Sequence, residues 1–519
     1  MKRTFFTLLA LATLLSSTAL AAPQALTLHG RDEPETLDPN RYTDIPGHNI
    51  LMNIFEGLTR SNPKTLEAEP AMAQAWTISP DGKTYTFKLR PGIVWSDGKP
   101  ITATDFVYGW QRVLNPATAS KSAWQLYAIK NAEEYNTGKI ADFSHVGVKA
   151  LNPQTLQVTL ENPAGYFLQL TTMPVFAPIR KDVVEKFGDL WIRPENIVTN
   201  GPFNLTTHVE HKEIVLTKNP KYWDAKNVKL EQVKFLPVPD YETALKMYDS
   251  NQLDTVFELP AVKIPELQTR PDMVKGPYLL SMYYYLNFKV PPLDDVRVRK
   301  ALNYAIDRNV ITEKILRKGD IPTPNYTPPG LPGYTPPPGF SYDPEKARQL
   351  LKEAGYGPGG KPLMFEILYN TTDEHKLVAQ AIQNMWKTNL GIDVTLRNEE
   401  WKVYTKSRET GSFQTARAGW IGDYVDPNTF LELFRSTSGL NQGKYLSAEY
   451  DRMLDAAQAE VNPAKRLALF RDAEAKLLDD AAIIPLYCWT NNQLVKPYVK
   501  GYYSTLLNWH PLYRAYVER

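Results

Sequence analysis

Tyr85-Thr-Phe-Lys-Leu-Arg90, the turn Trp95-Ser-Asp-Gly98 and the run Thr102-Ala-Thr-Asp-Phe-Val-Tyr-Gly-Trp110 together decide the fold class. In the first segment large apolar side chains alternate with Thr, Lys and Arg, the period of a strand with one buried face. Ser96-Asp97-Gly98 then turns the chain. Thr102, with Asp105 three residues on, forms a capping box that opens a helix carrying Phe106, Tyr108 and Trp110. A strand, a turn and a capped helix in direct succession are the building unit of a mixed α/β fold.

The same alternation recurs outward from this unit. Strands are expected at residues 25–29, 156–160, 203–207, 213–217 and 233–236, and a helix at 49–58 after Leu37-Asp38-Pro39. The second half carries longer helical patterns at 295–318, 344–354, 372–390, 447–460 and 462–478. In 372–390 the pairs Leu377/Val378, Ala381/Ile382 and Met385/Trp386, followed by Leu390, recur every three to four residues and mark one buried face. A boundary between two lobes is expected near Lys275-Gly276-Pro277.

The chain has 519 residues, 43% hydrophobic and 22% charged, with 59 Lys+Arg against 57 Asp+Glu. That profile excludes a single small module, a disordered chain and a polytopic membrane protein. Residues 1–21 have the form of an export signal: Lys2 and Arg3, an apolar run from Phe5 to Leu15 interrupted by Thr7 and Thr13, and Ala19-Leu20-Ala21 as the small-x-small cleavage site. Cleavage is placed after Ala21, because cleavage after Ala22 would put Pro23 first. Removing the signal takes away two basic residues and no acid, so the mature chain is neutral. Nucleic acid is thereby excluded as a partner, since its binding depends on excess Lys and Arg displacing counterions. The single cysteine, Cys488, permits no internal disulfide and lies too far from the signal to be acylated. With no second apolar run of membrane-spanning length, the expectation is a monomer released into the periplasm without a membrane anchor.

Several motifs resolve to structure. Gly355-Tyr-Gly357-Pro-Gly-Gly360 fits G-x-G-x-x-G but follows a helix and leads into a strand, the inverse of a dinucleotide site, so it is a helix C-cap and turn. His208 and His211 lie in a hairpin pattern, where their spacing points them to opposite faces unless they sit in its turn, and no other cluster completes a metal site. The eight prolines between Ile321 and Phe340 form a rigid surface loop in preference to a recognition ligand. No nucleophile motif and no H-E-x-x-H is present, and no carboxylate pair is singled out for glycoside hydrolysis. No cofactor, metal or catalytic residue is expected.

Ala416-Arg-Ala-Gly-Trp-Ile-Gly-Asp-Tyr-Val-Asp-Pro427 is the most informative segment for function. Asp426 precedes Pro427 and a helix at 428–434, so capping occupies it. Asp423 has no such task in an otherwise apolar run, where an ionised carboxylate needs a cation. Arg417 and a ligand ammonium are equally available for that role. His375 falls in the first turn of the helix at 372–390, where backbone N–H groups favour an anion such as a ligand carboxylate, with a solvated surface histidine as the competing reading. Tyr108, Tyr283, Tyr284, Tyr285, Trp401 and Trp420 belong to a chain with 11 Trp and 29 Tyr, suited to flat walls that also hydrogen-bond.

On these residues, and on Leu37-Asp-Pro39, Phe55-Glu-Gly-Leu58, Asn196-Ile-Val-Thr-Asn-Gly201, Pro291 through Leu302 and Leu368-Tyr-Asn-Thr-Thr-Asp-Glu-His375, the chain resembles family 5 of the extracellular solute-binding proteins. It is most similar to the oligopeptide-binding receptors of ABC importers. The resemblance covers essentially the whole mature chain. It implies a two-lobed α/β periplasmic-binding-protein fold of the type II kind with an extra domain: lobe I from 22–55, 181–278 and 489–519, an additional domain at 56–180, and lobe II at 279–488, closing on a peptide by a hinge. It implies that Asp423 receives the ligand α-ammonium and that main-chain groups around Ile45 and Gly419 to Ile421 hold the peptide as an extended strand. Tyr108, Trp401, Arg408 and Trp420 would line hydrated pockets, with Tyr283 counted among the aromatic site residues, and Arg417 and His375 would meet the ligand carboxylate as cations.

Three departures accompany the resemblance. A cysteine pair of close relatives matches Leu280 and Ile421. Two ligand-facing glutamates match Tyr285 and Thr43, the latter beside Asp44. A deep lysine matches Leu316, next to Arg317. The resulting expectation is a non-enzymatic receptor that delivers short peptides to an inner-membrane permease and its ATPase subunits. A murein-peptide receptor of the same fold and a cell-wall peptide or glycan hydrolase are the alternatives.

Overall fold

The computed structural model describes residues 24–357 and 359–519, so the expected signal at 1–21 lies outside the described residues. Thr84–Leu89 is a strand with Tyr85, Phe87 and Leu89 buried. In the helix Ala103–Leu114 the Asp105 carboxylate accepts the Thr102 backbone N–H at 2.7 Å, and Phe106, Trp110, Val113 and Leu114 face inward. That helix backs a four-stranded antiparallel sheet in the order Ala73–Ile78, Thr84–Leu89, Thr155–Thr159, Val148–Asn152.

An 11-stranded sheet runs through the rest of the molecule. Its order is Asp393–Glu399, Met364–Asn370, Thr415–Ile421, Met273–Leu286, Ile483–Val495, Thr255–Val256, Ala25–Arg31, Gln232–Pro237, Glu213–Lys218 and Phe203–Val209, with Ile321–Pro322 paired to Ile483–Val495 off this path. The two long central strands, Met273–Leu286 and Ile483–Val495, link the halves. They pair continuously from Met273↔Leu494 to Pro277↔Thr490 and resume at Ser281↔Cys488. Between those pairs more residues lie on one strand than on the other, which loosens the ladder and bends it. This break adjoins the boundary expected at Lys275-Gly276-Pro277.

Beyond the break, strand periodicity sorts the side chains. Leu280, Met282, Tyr284 and Leu286 pack on one face with Val378, Ile382 and Trp386 of the helix Asp373–Leu390. Leu279, Tyr283 and Tyr285 pack on the other face with Tyr326, Phe430 and Phe434. Of the face expected on that helix, Leu377 turns to solvent at 49% exposure and Ala379 takes its place inside.

The helix expected at 295–318 is interrupted. It forms as Val296–Tyr304 and then as a wider turn of helix at Val310–Leu316. Between them the buried Arg308 donates to the carbonyls of Pro485 at 2.7 Å and Phe340 at 3.2 Å, tying the chain to the sheet. The proline loop is anchored in the same way: the buried Glu474 accepts the N–H groups of Tyr326 and Thr327 at 2.9 and 2.8 Å and the Tyr334 hydroxyl. His208 bonds Glu33 at 2.6 Å while His211 sits in the hairpin turn at φ 57°. Gly355 follows the helix Pro344–Glu353 at φ 88°, in the left-handed conformation of a C-terminal turn. No helix of the described residues is long and apolar enough to cross a membrane.

Candidate functional site

The strand Thr415–Ile421 pairs along its length with Met273–Leu286, from Thr415↔Leu286 to Ile421↔Leu280. On its other edge it meets Met364–Asn370 only at Thr415 and Ala416. From Ala418 to Ile421 that second edge pairs with no strand among the described residues. An extended chain laid there would gain main-chain hydrogen bonds and send alternate side chains to either face. Gly419 helps shape one face: a Cβ there would lie 2.9 Å from Met282 Sδ and 3.5 Å from Arg417 Nη2.

Just past this edge stand two aspartates with different fates. Asp426 is 8% exposed, accepts the Asn428 N–H at 3.0 Å and holds Arg466 by two bonds of 2.6 and 2.9 Å. Asp423 has only Thr429, whose hydroxyl donates to Oδ2 at 3.3 Å and accepts the Asp423 N–H at 3.0 Å. Burial lifts its pKa from 3.8 to about 6, with the Thr429 bond pulling weakly the other way. Arg417, the candidate structural partner, is engaged elsewhere: Nη1 reaches Asn370 Oδ1 and Nη2 reaches Met282 Sδ, both at 3.5 Å. Asp423 is thus a desolvated carboxylate without a protein cation among the described residues.

It borders two cavities. One, of about 490 Å³, extends toward Tyr166, Glu432 and Arg435. The other, of about 410 Å³, runs past Trp124, Ile45, His48 and Ile421 to Tyr278. On the far side of Tyr278 a third cavity of about 340 Å³ continues toward Lys318, Glu374 and Trp489. Residues from both halves of the chain line all three, so the cavities form a cleft between the lobes alongside the strand break. Beside Asp423 the halves also touch, where Tyr166 stacks on Tyr424 with ring centroids 4.4 Å apart and 10° between planes.

The profile of the bacterial extracellular solute-binding proteins, family 5, matches residues 67–442. The chain is 40% identical over 494 residues to the periplasmic oligopeptide-binding protein OppA of Salmonella typhimurium, covering 93% of this chain and 90% of that one. It belongs to family 5 of the bacterial extracellular solute-binding proteins. It is also 40% identical over 497 residues to the periplasmic murein peptide-binding protein MppA of Escherichia coli, covering 94% and 92%. Among solved structures, the unliganded open form of the murein tripeptide-binding protein superposes with a TM-score of 0.89 at 37% identity, over 96% of this chain and 98% of that one. Haemophilus influenzae OppA in complex with the peptide RPPGFSPFR gives 0.72 at 36% identity, over 96% and 99%. The fold is therefore that of the family's receptors, which are not enzymes, and its lobes stand as in an open, unliganded member.

Within this family 5 chain the expected site residues fall into three groups. Asp423, Ile45 and Ile421 line the cleft together. Gly419 and Trp420 lie on the free strand edge, and the Trp420 Nε1 is buried without an acceptor. Arg417 is half-buried with its Nε likewise unpartnered. Trp401 opens the helix Trp401–Thr410 at 54% exposure, with its ring 5.7 Å from that of Tyr404. Tyr404 donates to the Arg417 carbonyl and accepts from Arg408 Nη1 at 3.2 Å, while Arg408 Nε bonds Gln442 at 2.6 Å.

Three expectations need correction. Tyr283 is a core residue at 1% exposure, donating to Tyr285 at 2.9 Å between Tyr326 and Phe434, because its strand position points it away from the cleft. Tyr108 is half-buried on the helix Ala103–Leu114 and does not line the three cavities, where Lys121, Ser122, Trp124 and Gln125 form the wall near Asp423. His375 is neither solvated nor cationic. It is 8% exposed, and burial with help from Arg417 drives its pKa down to about 4. Its N–H is already accepted by Thr372 Oγ1 at 3.1 Å, so that group is not available to an anion. Its Nδ1 lies 3.3 Å from the Asn370 carbonyl, which can only accept, so the proton sits on Nδ1 and Nε2 carries the lone pair. His48, buried with a pKa near 3 and its Nε2 unpartnered, borders the cleft and was not legible, since no local pattern marks a histidine inside a short helix.

Proposed function

We propose that this protein is a periplasmic receptor that captures short peptides in extended form between its two lobes and delivers them to an ABC importer. The carrying observation is Asp423, a half-buried, desolvated carboxylate that faces the cleft with no cation beside it among the described residues, next to a strand edge that pairs with none of them. A peptide α-ammonium supplies the missing charge, and the peptide backbone supplies the missing strand. At the other end Arg417 and the imidazole of His375 receive the ligand carboxylate, the histidine taking up a proton as it does so. Trp420, Trp401 and Arg408 line side-chain pockets filled by water, which select weakly. Closure follows a bend at the strand break near residues 277–281 and 488–490, with lobe I made of 22–55, 181–278 and 489–519, the additional domain at 56–180, and lobe II at 279–488. The protein acts as a monomer after removal of the signal at 1–21, without a lipid anchor, and its partners are a permease and ATPase subunits.

The names of the relatives, oligopeptide-binding and murein peptide-binding alike, support this reading. Native mass spectrometry of the purified protein, with release and sequencing of the bound material, tests it. Short peptides are expected. A preparation that carries no peptide and takes none up from a peptide mixture would overturn it.

A further inference from the structure

The cleft end farthest from Asp423 carries an imbalance of charge and of hydrogen-bond acceptors. Among the described residues, Lys318 is the one cation lining the third cavity. Glu374 holds its Nζ with two contacts of 3.0 and 2.9 Å, and Asp320 Oδ2 lies 3.4 Å away. Two carboxylates thus share one ammonium. The Asp320 side chain is 1% exposed, and its Oδ2 has no hydrogen bond. Desolvation, opposed by Lys318 and reinforced by Glu374, raises its pKa to about 6, the response of a buried acid that is under-neutralised. Glu258 also lines the cavity but is paired behind it with Arg31 at 3.1 Å.

A second, independent feature points the same way. Asn492 is 8% exposed and borders the cavity. Its Nδ2 donates to the carbonyls of Lys318 and Thr490, both at 3.1 Å, which fixes the amide orientation. Its Oδ1 is left buried without a donor. A buried acceptor in that condition is costly unless a ligand or water completes it. The indole of Trp489 forms an aromatic wall already used by a cation, with Lys318 Nζ 4.4 Å from its centroid.

We infer that this end of the cleft is a subsite for a cationic side chain of the ligand, an amine or guanidinium held by Asp320, Glu374 and Asn492 over Trp489. The inference rests on the peptide-receptor reading and adds a preference for basic residues toward the ligand's carboxyl end. The neighbouring Arg417 accounts for the ligand carboxylate, so the acidic pair is not needed for that end and faces the adjacent side chain.

The test is calorimetry on the full mature protein with four series of tripeptides and tetrapeptides: alanine throughout, one lysine placed at each position in turn, and Nε-acetyl-lysine and glutamate each at the same positions. Acetylation keeps the stem and removes the charge. At one position in the carboxyl half, lysine is expected to bind at least tenfold tighter than acetyl-lysine. In Glu374→Gln, a change at a partly exposed side chain that spares the buried Asp320, that ratio is expected to collapse toward one. Alanine peptides that bind while lysine and acetyl-lysine are equivalent at every position would overturn the subsite and leave the receptor reading standing. Tighter binding of glutamate there, through Lys318, would overturn it as well. Failure of every peptide to bind would remove both.

Discussion

Arg466 grips Asp426 by two hydrogen bonds of 2.6 and 2.9 Å, while Asp423, three residues earlier, has no cation beside it among the described residues. One aspartate is structural and satisfied. The other, under the proposed function, receives its charge partner from a ligand, and its energetics are measurable.

Asp423→Asn should act in opposite directions on binding and on stability. Binding of a free-amine peptide is expected to weaken by about 3 kcal/mol or more, because the ligand ammonium would then be buried unpaired. The unliganded protein should become more stable at pH 7. A rise from 3.8 to about 6 corresponds to at most ~3 kcal/mol of penalty for the ionised group, of which cavity solvent screens part, leaving roughly 1–3 kcal/mol. Calorimetric titration and unliganded denaturation measure the two effects; a variant that loses binding and also loses stability would show that Asp423 is structural.

Acidification should weaken peptide binding through the same group. Asp423 has its pKa raised on folding, so its stabilising contribution to the unliganded state is complete below about pH 4 and is lost as pH rises through about 6. The ionised form that dominates above 6 is the one that binds an ammonium. In His375→Gln, where proton uptake at the other end of the ligand is removed, affinity is therefore expected to fall as pH drops from 7 to 5, and adding Asp423→Asn should abolish that dependence. A flat His375→Gln profile over this range contradicts the assignment.

Binding should also take up protons near neutrality. His375 is neutral with its pKa near 4, and a ligand carboxylate at Nε2 would favour the imidazolium. Titrations at pH 7 in buffers of different ionisation enthalpy should report net uptake, abolished in His375→Gln. Equal apparent enthalpies across buffers would place the carboxylate elsewhere.

Tyr283→Phe should cost stability and spare affinity. It removes one buried hydroxyl that donates to Tyr285, worth ~1 kcal/mol, from a side chain that is 1% exposed and lines none of the three cavities. A marked loss of peptide affinity would return Tyr283 to the site.

Leu280 and Ile421 are direct cross-strand partners, at the positions where the resemblance places a cysteine pair. The double substitution Leu280→Cys, Ile421→Cys should oxidise spontaneously and stabilise the fold by about 2–4 kcal/mol. Thiol titration under denaturing conditions distinguishes one free thiol, that of Cys488, from three.

How much of this was legible in the sequence follows from the range of each signal. The strand–turn–helix unit at Tyr85 to Trp110 is local, and it folds as its periodicity dictates. Asp423 stood out because Asp426 had an evident cap to make, but only the fold shows Arg417 turned away to Asn370 and Met282. Tyr283 was misplaced because composition says nothing about which face a strand residue takes. Asp320, Glu374 and Asn492 converge from three distant segments, and no spacing rule links them. The helix at 295–318 looked continuous because the interruption comes from Arg308 reaching carbonyls of other segments.

The most direct measurement is the affinity of the wild-type protein for one tripeptide in two forms, with a free and with an acetylated amino terminus. The free form is expected to bind and the acetylated form to bind at least about 100-fold more weakly, as loss of the charge facing Asp423 requires. Equal affinity for the two would contradict ammonium recognition at Asp423.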